Sequence, residues 1–382
     1  MKINILGGGP AGLYAAYLLK RQRPDASVHV YEQNAADTTF GFGVVFSEQA
    51  LEFLRANDEE TLDAITKDLE SWRDIELRIH GQIIHIDGVG FTGIARLKLL
   101  EILSQKALSV GAILCHQRVI ENLGEIDDAD LIIGADGINS LVRRTHEESF
   151  GTTIDHFENR FAWFGATRAF GHLTQTFKEV PQGFFNAHHY RYSPSMSTFL
   201  VEANAATFKQ IGFADMSEEE SRLYCQKIFA EELEGASLVA NKSQWRQFPK
   251  INNARWSVGK YVIIGDALRT AHFSIGSGTR LALEDVQALA KALAENPKDI
   301  ISALASFEAA RRPVVEKIVT AANQSAKWYD SFAEHMKLPA WEFAFNYISR
   351  SGRIDLDRLR TNSPQFVSSY DRWLRSDAYS KF

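Results

Sequence analysis

The start of the chain constrains its fold more than any other stretch. A short apolar run, Ile3–Leu6, leads directly into Gly7-Gly8-Gly9-Pro10-Ala11-Gly12. A helical spacing of Leu13, Ala16, Leu18 and Leu19 follows, and then a second strand-like run, Ser27–Tyr31, which ends at Glu32. Strand, glycine turn, helix, strand and terminal acid in that order make a dinucleotide-binding βαβ unit. Gly7 allows the turn, Gly9 lets a pyrophosphate approach the backbone, and Gly12 packs helix on strand. Glu32 is then placed to hold the hydroxyls of an adenosine ribose. A chain that opens this way is expected to be α/β.

A second strand–loop–helix lies at Tyr261–Asp285. The apolar run Tyr261–Ile264 ends in Gly265-Asp266, and a loop then reaches Gly276-Ser277-Gly278-Thr279. From Arg280 the spacing of Leu281, Leu283, Val286, Leu289 and Leu293 is helical. A Gly-x-Gly loop entering a helix presents free N–H groups and the positive end of the helix dipole. That suits an electron-rich group gaining negative charge, such as the N1/O2 edge of a reduced flavin. Asp266 would accept hydrogen bonds from ribityl hydroxyls. An ordinary strand, glycine-rich turn and helix is the alternative. Between these two units, Leu131–Ile133 runs into Gly134-Ala135-Asp136-Gly137. Asp-Gly is a hairpin signal, yet Ser140 and the pair Arg143-Arg144 follow instead of a second strand. They indicate strand–turn–helix, with the basic pair a candidate phosphate contact. Phe40–Phe46 (FGFGVVF, which includes Val44) is either a tight core turn or backbone lying against a flat ring.

The 382 residues provide ample chain for two domains or one elaborate one. A net charge of −6 gives no reason to expect a nucleic-acid partner. Cys115 and Cys225 are too few for a disulfide framework and suit a reducing cytoplasm. A first strand at Ile3 leaves no room for a signal peptide, and no apolar run has the length of a membrane span. Ser47–Glu70 reads as helices, Ile75–Ile86 as a β-hairpin turning at His80-Gly81-Gln82, and Arg96–Val110 as a helix with Arg96 in its first turn. From Thr152 to about Pro249 the runs Phe161–Arg168, Gly183–Arg191 and Ser197–Glu202 suggest an antiparallel sheet. A capped amphipathic helix follows at Met216–Glu234. After Asp285 the chain reads as helical to about residue 337, with a tail of short helices.

Three signatures in one order, GGGPAG with Glu32, then GADGINSLVR, then the Gly265-Asp266 strand end with its Gly-Ser-Gly loop, resemble the single-component (class A) FAD-dependent aromatic monooxygenases. The runs AHFSIGSGTRLALED, GFGVVFS, FAWFGAT, HHYRYSPSMSTFLVE and FEAARRPVVE resemble a narrower subgroup. That subgroup is the salicylyl-CoA 5-hydroxylases and the monooxygenase halves of 2-aminobenzoyl-CoA monooxygenase/reductases. The resemblance implies a Rossmann-like FAD-binding domain of residues 1–72, 95–152 and 252–335. It also implies an inserted antiparallel-sheet substrate domain of residues 73–94 and 153–251, and a helical C-terminal segment of residues 336–382. It implies FAD held by Gly7, Gly9, Gly12, Glu32, Val44, Arg96, Asp136, Asp266, Gly276, Gly278 and Thr279, with Asp136-Gly137 touching pyrophosphate and pyridine nucleotide.

NADH or NADPH would then act as a transient reductant. Oxygen would be carried as a flavin C4a-hydroperoxide, and an electron-rich ring, as the CoA thioester of an aryl acid, would be hydroxylated. A free aromatic or indole metabolite is the alternative substrate. An oxygen-independent flavin dehydrogenase and a non-catalytic flavoprotein are the rival functions. The chain ends without a reductase-type domain, as expected of a stand-alone hydroxylase, monomeric or homodimeric. The sequence departs from the family at Ala267-Leu268-Arg269, where Ala-Ala-His is common, and at His272-Phe273, where Pro-Pro is common. His272, Phe273 and His189 are therefore the catalytic candidates, the histidines as base or substrate anchor and Phe273 as a water-excluding wall. His188, His189 and His272 lack ligand spacing, and no metal is expected. Phe161, Trp163, Phe164, Phe184 and Phe185 are assigned to the sheet core.

Overall fold

A computed structural model of the chain describes residues 1–47 and 50–376. Glu48 and Gln49, at the start of the first expected helical stretch, and residues 377–382 of the C-terminal segment lie outside it.

One sheet has the order Ser257–Val258, Tyr261–Ile263, Leu131–Gly134, Lys2–Leu6, Ser27–Tyr31, Ile113–Cys115. All its pairings are parallel except the first, a hairpin. Ile3, Ile5, Leu131, Ile132 and Ile133 are fully buried, as strands covered on both faces must be. The helix Pro10–Gln22 crosses this sheet with Ala11 to Leu19 continuously buried. It is sandwiched by the helices Arg96–Ser109 and Gly278–Glu295, so its pattern is apolar all round rather than one-sided.

The second sheet has the order Leu238–Val239, Thr152–Ala166, Ser197–Ala203, Gly183–Arg191, Leu173–Val180, Ile75–Ile79, Gln82–Ile86. Arg246–Asn253 also pairs with Thr152–Ala166. The hairpin Ile75–Ile79 and Gln82–Ile86 turns at His80 (φ 52°) and Gly81 (φ 71°). That two-residue left-handed turn matches the twist of the strands it joins. The hairpin joins the sheet by a parallel pairing of Ile75–Ile79 with Leu173–Val180. A smaller sheet of Gly43–Ser47, Phe91–Ala95 and Glu70–Trp72 lies beside the hairpin in sequence. One face of the large sheet packs Phe164, Phe185 and Phe199 on Cys225, Phe229 and Leu233 of the helical region. The other face meets the end of the helix Ile300–Asp330 and the helix Ala340–Ser349, through Phe177, Trp328, Tyr329, Phe343 and Tyr347. The molecule is thus an α/β Rossmann-like unit with an inserted antiparallel sheet and a helical C-terminal region.

Three sequence expectations change. The strand expected at Phe161–Arg168 begins at Thr152, and Leu173–Val180 and Arg246–Asn253 are strands that the pattern did not mark. The helix expected over Met216–Glu234 breaks at Phe229 into Glu218–Ile228 and Ala230–Leu233. The helix after the Gly-Ser-Gly loop starts at Gly278, not Arg280. Among the described residues no helix is long and apolar enough to cross a membrane.

Candidate active site

The carboxyl ends of the parallel strands converge on one cleft. Gly7 N–H donates to Tyr31 O (2.9 Å), Ala135 N–H to Leu6 O (2.8 Å) and Ile264 N–H to Gly134 O (3.0 Å). These bonds set the glycine turn, the Asp136 turn and the Asp266 turn side by side. Gly7 sits at φ 98°, and a Cβ there would lie 2.3 Å from Ala135 O; a Cβ on Gly12 would lie 1.9 Å from Gly7 O. A Cβ on Gly9 would meet nothing within 4 Å. The outer two glycines are therefore needed by the fold, while the middle one opens a cradle at the start of a helix. Glu32 closes one side of it, its carboxylate accepting from Gly8 N–H (2.7 Å) and Asn34 N–H (2.8 Å).

Further along the cleft, Asp266 is exposed, yet protein crowds it enough that desolvation raises its carboxyl pKa against the pull of Arg269 and Arg96. Arg96 is half-buried at the start of its helix, with its Nε buried and unpartnered. Desolvation lowers its pKa, with Asp266 and Tyr190 opposing. Asp136 turns inward instead: Oδ2 accepts from Leu141 N–H at 2.6 Å, and Oδ1 is buried without a partner. Val44 is a buried strand residue paired with Ile94, so its side chain belongs to the core. Its neighbour Val45 approaches Gly276 at about van der Waals distance, 3.4 Å from a Cβ built there. The helix Gly278–Glu295 has no side-chain cap and no acid in its first turn, leaving its first N–H groups and positive dipole end open. An open glycine cradle, an orphaned arginine Nε and an uncapped helix together fit a dinucleotide with an anionic middle and an electron-rich ring.

The loop after Asp266 presses onto the large sheet. Phe273 is half-buried, with its ring 4.0 Å from that of His272, 5.1 Å from Phe161, 5.3 Å from His188 and 5.8 Å from Phe248. Phe161 therefore leaves the sheet core assigned to it and faces the loop. His272 is buried among Phe157, Phe248 and Tyr329, and its Nδ1 accepts from Ser274 N–H at 3.3 Å. Burial pushes its pKa down to about 3, with Glu202 opposing and His188 and Arg350 assisting. An imidazole that weak is a poor general base near neutral pH. Nδ1 accepts, so the proton sits on Nε2.

The two adjacent histidines of strand Gly183–Arg191 point to opposite faces, as strand alternation requires. His188 faces the loop. His189 faces the other core, 4.2 Å from the ring of Phe170 and 4.9 Å from Phe199, bonded to Thr176 Oγ1 at 3.0 Å. The candidate His189 thus lies away from His272 and Phe273, with the sheet between them. Around His188 runs a buried polar chain that the sequence did not signal. Tyr329 Oη donates to Gln175 Oε1 (3.0 Å), and Gln175 Nε2 donates to His188 Nδ1 (2.9 Å). That leaves the His188 proton on Nε2, 3.5 Å from Glu202 Oε2. Glu202 also accepts from Asn159 Nδ2 (2.8 Å) and Asn186 Nδ2 (3.3 Å).

Two arginines turn out to be structural. Arg143 is buried and donates to the carbonyls of Ala267 and Ile138, which removes it from the phosphate candidates. Arg269 forms a buried ion pair with Asp285 (2.7 Å), which Arg311 also contacts at 3.2 Å. The departure at Leu268-Arg269 is therefore a bolt between the Asp266 turn and the helices behind it. From the C-terminal region, Arg350 donates to Ser274 O (2.9 Å) and Ser325 Oγ (3.0 Å), fixing the loop from behind.

Residues 103–322 match the family described as FAD binding domain, and residues 5–39 match the NAD(P)-binding Rossmann-like domain. A salicyloyl-CoA 5-hydroxylase from a Streptomyces species is 38% identical, covering 98% of this chain and 74% of its own. A 3-hydroxy-4-methyl-anthranilyl-[aryl-carrier protein] 5-monooxygenase from Streptosporangium sibiricum is 36% identical, over 94% of this chain and 97% of its own. The solved structure of 2-methyl-3-hydroxypyridine-5-carboxylic acid oxygenase shares the fold, with a TM-score of 0.68 at 18% identity over 95% of each chain.

Proposed function

We propose that this chain, which belongs to the FAD-dependent aromatic monooxygenases, hydroxylates the ring of an aromatic acyl-CoA thioester of the salicyloyl-CoA kind with NAD(P)H and O2. The 38% identity to salicyloyl-CoA 5-hydroxylase over almost the whole chain carries the substrate class. The second relative's name also places its aryl group on a carrier, which favours a tethered ring over a free acid.

We assign the FAD pyrophosphate to the turn of Gly7, Gly9 and Gly12 and the helix behind it. Glu32 is assigned to the adenosine ribose, Asp266 and Arg96 to the ribityl and phosphate region, and Gly276, Gly278 and Thr279 to the ring's pyrimidine edge. Val44 contributes through its backbone, and Asp136 by shaping its turn. Bound FAD supplies hydride acceptance from NADH or NADPH and the activation of O2. The protein's part is to orient the ring and exclude water. Phe273, backed by Phe161 and Phe248, forms the apolar wall. His272 holds its proton on Nε2 and acts as a hydrogen-bond donor, the anchor of the two roles, base or substrate anchor, considered from sequence. The substrate-anchor role considered for His189, without that of base, passes to His188, which is held in one tautomer by Gln175 and faces the loop. Glu202 positions His188.

The cradle assignment separates two glycines. Gly9→Val should weaken FAD by about tenfold or more, since a side chain would fill the pyrophosphate's place, while thermal stability without FAD stays unchanged. Gly7→Ala should instead lower the melting temperature of the chain itself, because its Cβ has no space and its φ is left-handed. FAD fluorescence titration and melts of the apoprotein check both; a stable fold with unaltered FAD affinity in Gly9→Val removes the assignment. For the substrate, product formation is compared between salicyloyl-CoA or anthraniloyl-CoA and the free acids. The thioesters should show kcat/KM higher by about a hundredfold, since binding energy of the remote CoA is used at the ring. Free acids turned over equally well would end the CoA part of the reading.

A further inference from the structure

Away from the cleft, Glu76, His85 and His172 bring one carboxylate and two imidazoles together, with ligand atoms all within 4.8 Å of one another. We propose that these three residues form a binding site for a divalent transition metal ion of the zinc class. The backbone places them. Glu76 and His85 are directly paired across the hairpin, so their side chains share one face. His172 lies just ahead of Leu173–Val180, whose Thr174 is paired with Glu76, so alternation brings His172 onto that same face on the diagonal. Three adjacent segments therefore each supply one ligand.

The donor set decides the ion. Two imidazoles with one carboxylate suit zinc, cobalt or nickel, whereas magnesium and calcium require mostly oxygen. Three protein ligands leave a position for water. At metal–nitrogen distances of about 2.0–2.1 Å, ligand atoms in a tetrahedral site stand about 3.3 Å apart. Rotation of His85, which is exposed, closes the remaining gap. Glu76 is buried, and its Oε1 accepts from Arg78 Nε at 2.6 Å. The arginine's charge works against a cation, but its hydrogen bond fixes the carboxylate's direction, as partners of metal-bound carboxylates commonly do. The rings of His85 and His172 stand edge-on with centroids 5.3 Å apart, so they are already drawn together. Gln82–Ile86 is the edge strand of the sheet. An ion here would tie that edge to the segment leading into Leu173–Val180, the second strand in from it.

The test is equilibrium dialysis of the FAD-loaded full chain against zinc, with bound metal counted by atomic emission, on the wild type and on His85→Ala, His172→Ala and Glu76→Gln. One zinc per chain, with affinity lowered more than about tenfold in each histidine variant, supports the site. Glu76→Gln guards against a histidine effect that is only local and should also weaken binding. The proposal is overturned if the wild type binds no zinc, or if bound zinc is unchanged in either histidine variant, which would place it at Cys115 or elsewhere.

Discussion

Replacing Phe273 by Ala is expected to turn the enzyme from a hydroxylase into mainly a producer of hydrogen peroxide, while FAD stays bound. The ring of Phe273 stands between His272, Phe161, His188 and Phe248 at centroid distances of 4.0–5.8 Å. Removing it leaves a hole in the apolar wall between the loop after Asp266 and the sheet. Water admitted there would promote loss of the reduced oxygen as hydrogen peroxide before it is transferred to the substrate ring, so NAD(P)H would be consumed without hydroxylated product. The loop's backbone has separate supports, Arg350 on Ser274 O and the ion pair of Arg269 with Asp285, so FAD binding should survive. His189→Gln serves as the control, because His189 lies in the core on the far side of the sheet and should leave coupling intact. Measuring peroxide, product and flavin content in both variants checks this. Full coupling in Phe273→Ala would show that the loop is scaffold and that water is excluded elsewhere.

The three strand-end turns that the fold sets side by side were legible because each is local. A glycine turn after a strand, an acid at the end of the next strand and a Gly-x-Gly loop before a helix are each written within a few consecutive residues. That the pattern did not mark the strand Leu173–Val180 has a physical cause. Leu173–Val180 carries Thr174, Gln175 and Thr176, a polar run that reads as loop. In the fold those residues are buried because Gln175 and Thr176 bond to His188 and His189 on the neighbouring strand. Their polarity is satisfied only across strands, which no single-strand pattern reports. The choice between His188 and His189 had the same origin: alternation separates them, but only the sheet's placement says which face meets the loop. Arg269 stood out only as a departure from the family pattern, and Arg143 looked like a phosphate contact from its place in a basic pair after a glycine turn. Their partners, Asp285 and the carbonyl of Ala267, make them internal braces. Arg350 is the reverse case, a tail residue that reaches the loop only through the packing of the C-terminal helices.

Acid should destabilise this fold through its buried histidines, and His272 allows the size to be set. Burial is the main cause lowering the pKa values of His188, His189 and His272, and for His272 the value reaches about 3. In the unfolded chain each histidine takes up its proton near pH 6.5. Between about pH 6.5 and 3 the unfolded state therefore binds more protons, and stability falls as pH falls through that window. It is fully present above 6.5. For His272 the loss at pH 5 is about 2 kcal/mol, from a difference of about 1.5 pH units at 1.36 kcal/mol each. The carboxyls of buried Asp285 and of Asp266, which protein crowds, are raised by desolvation and act in the opposite direction, so the wild-type profile alone is a mixture. Comparison with His272→Asn isolates the term, since the variant keeps a polar side chain of similar reach but cannot titrate. Urea unfolding in excess FAD at pH 7.5 and pH 5 should show wild type losing about 2 kcal/mol more than the variant. If both lose stability equally, His272 is not held neutral by its surroundings. The hydrogen-bond donor assigned to it would then revert to a group able to carry charge beside Glu202.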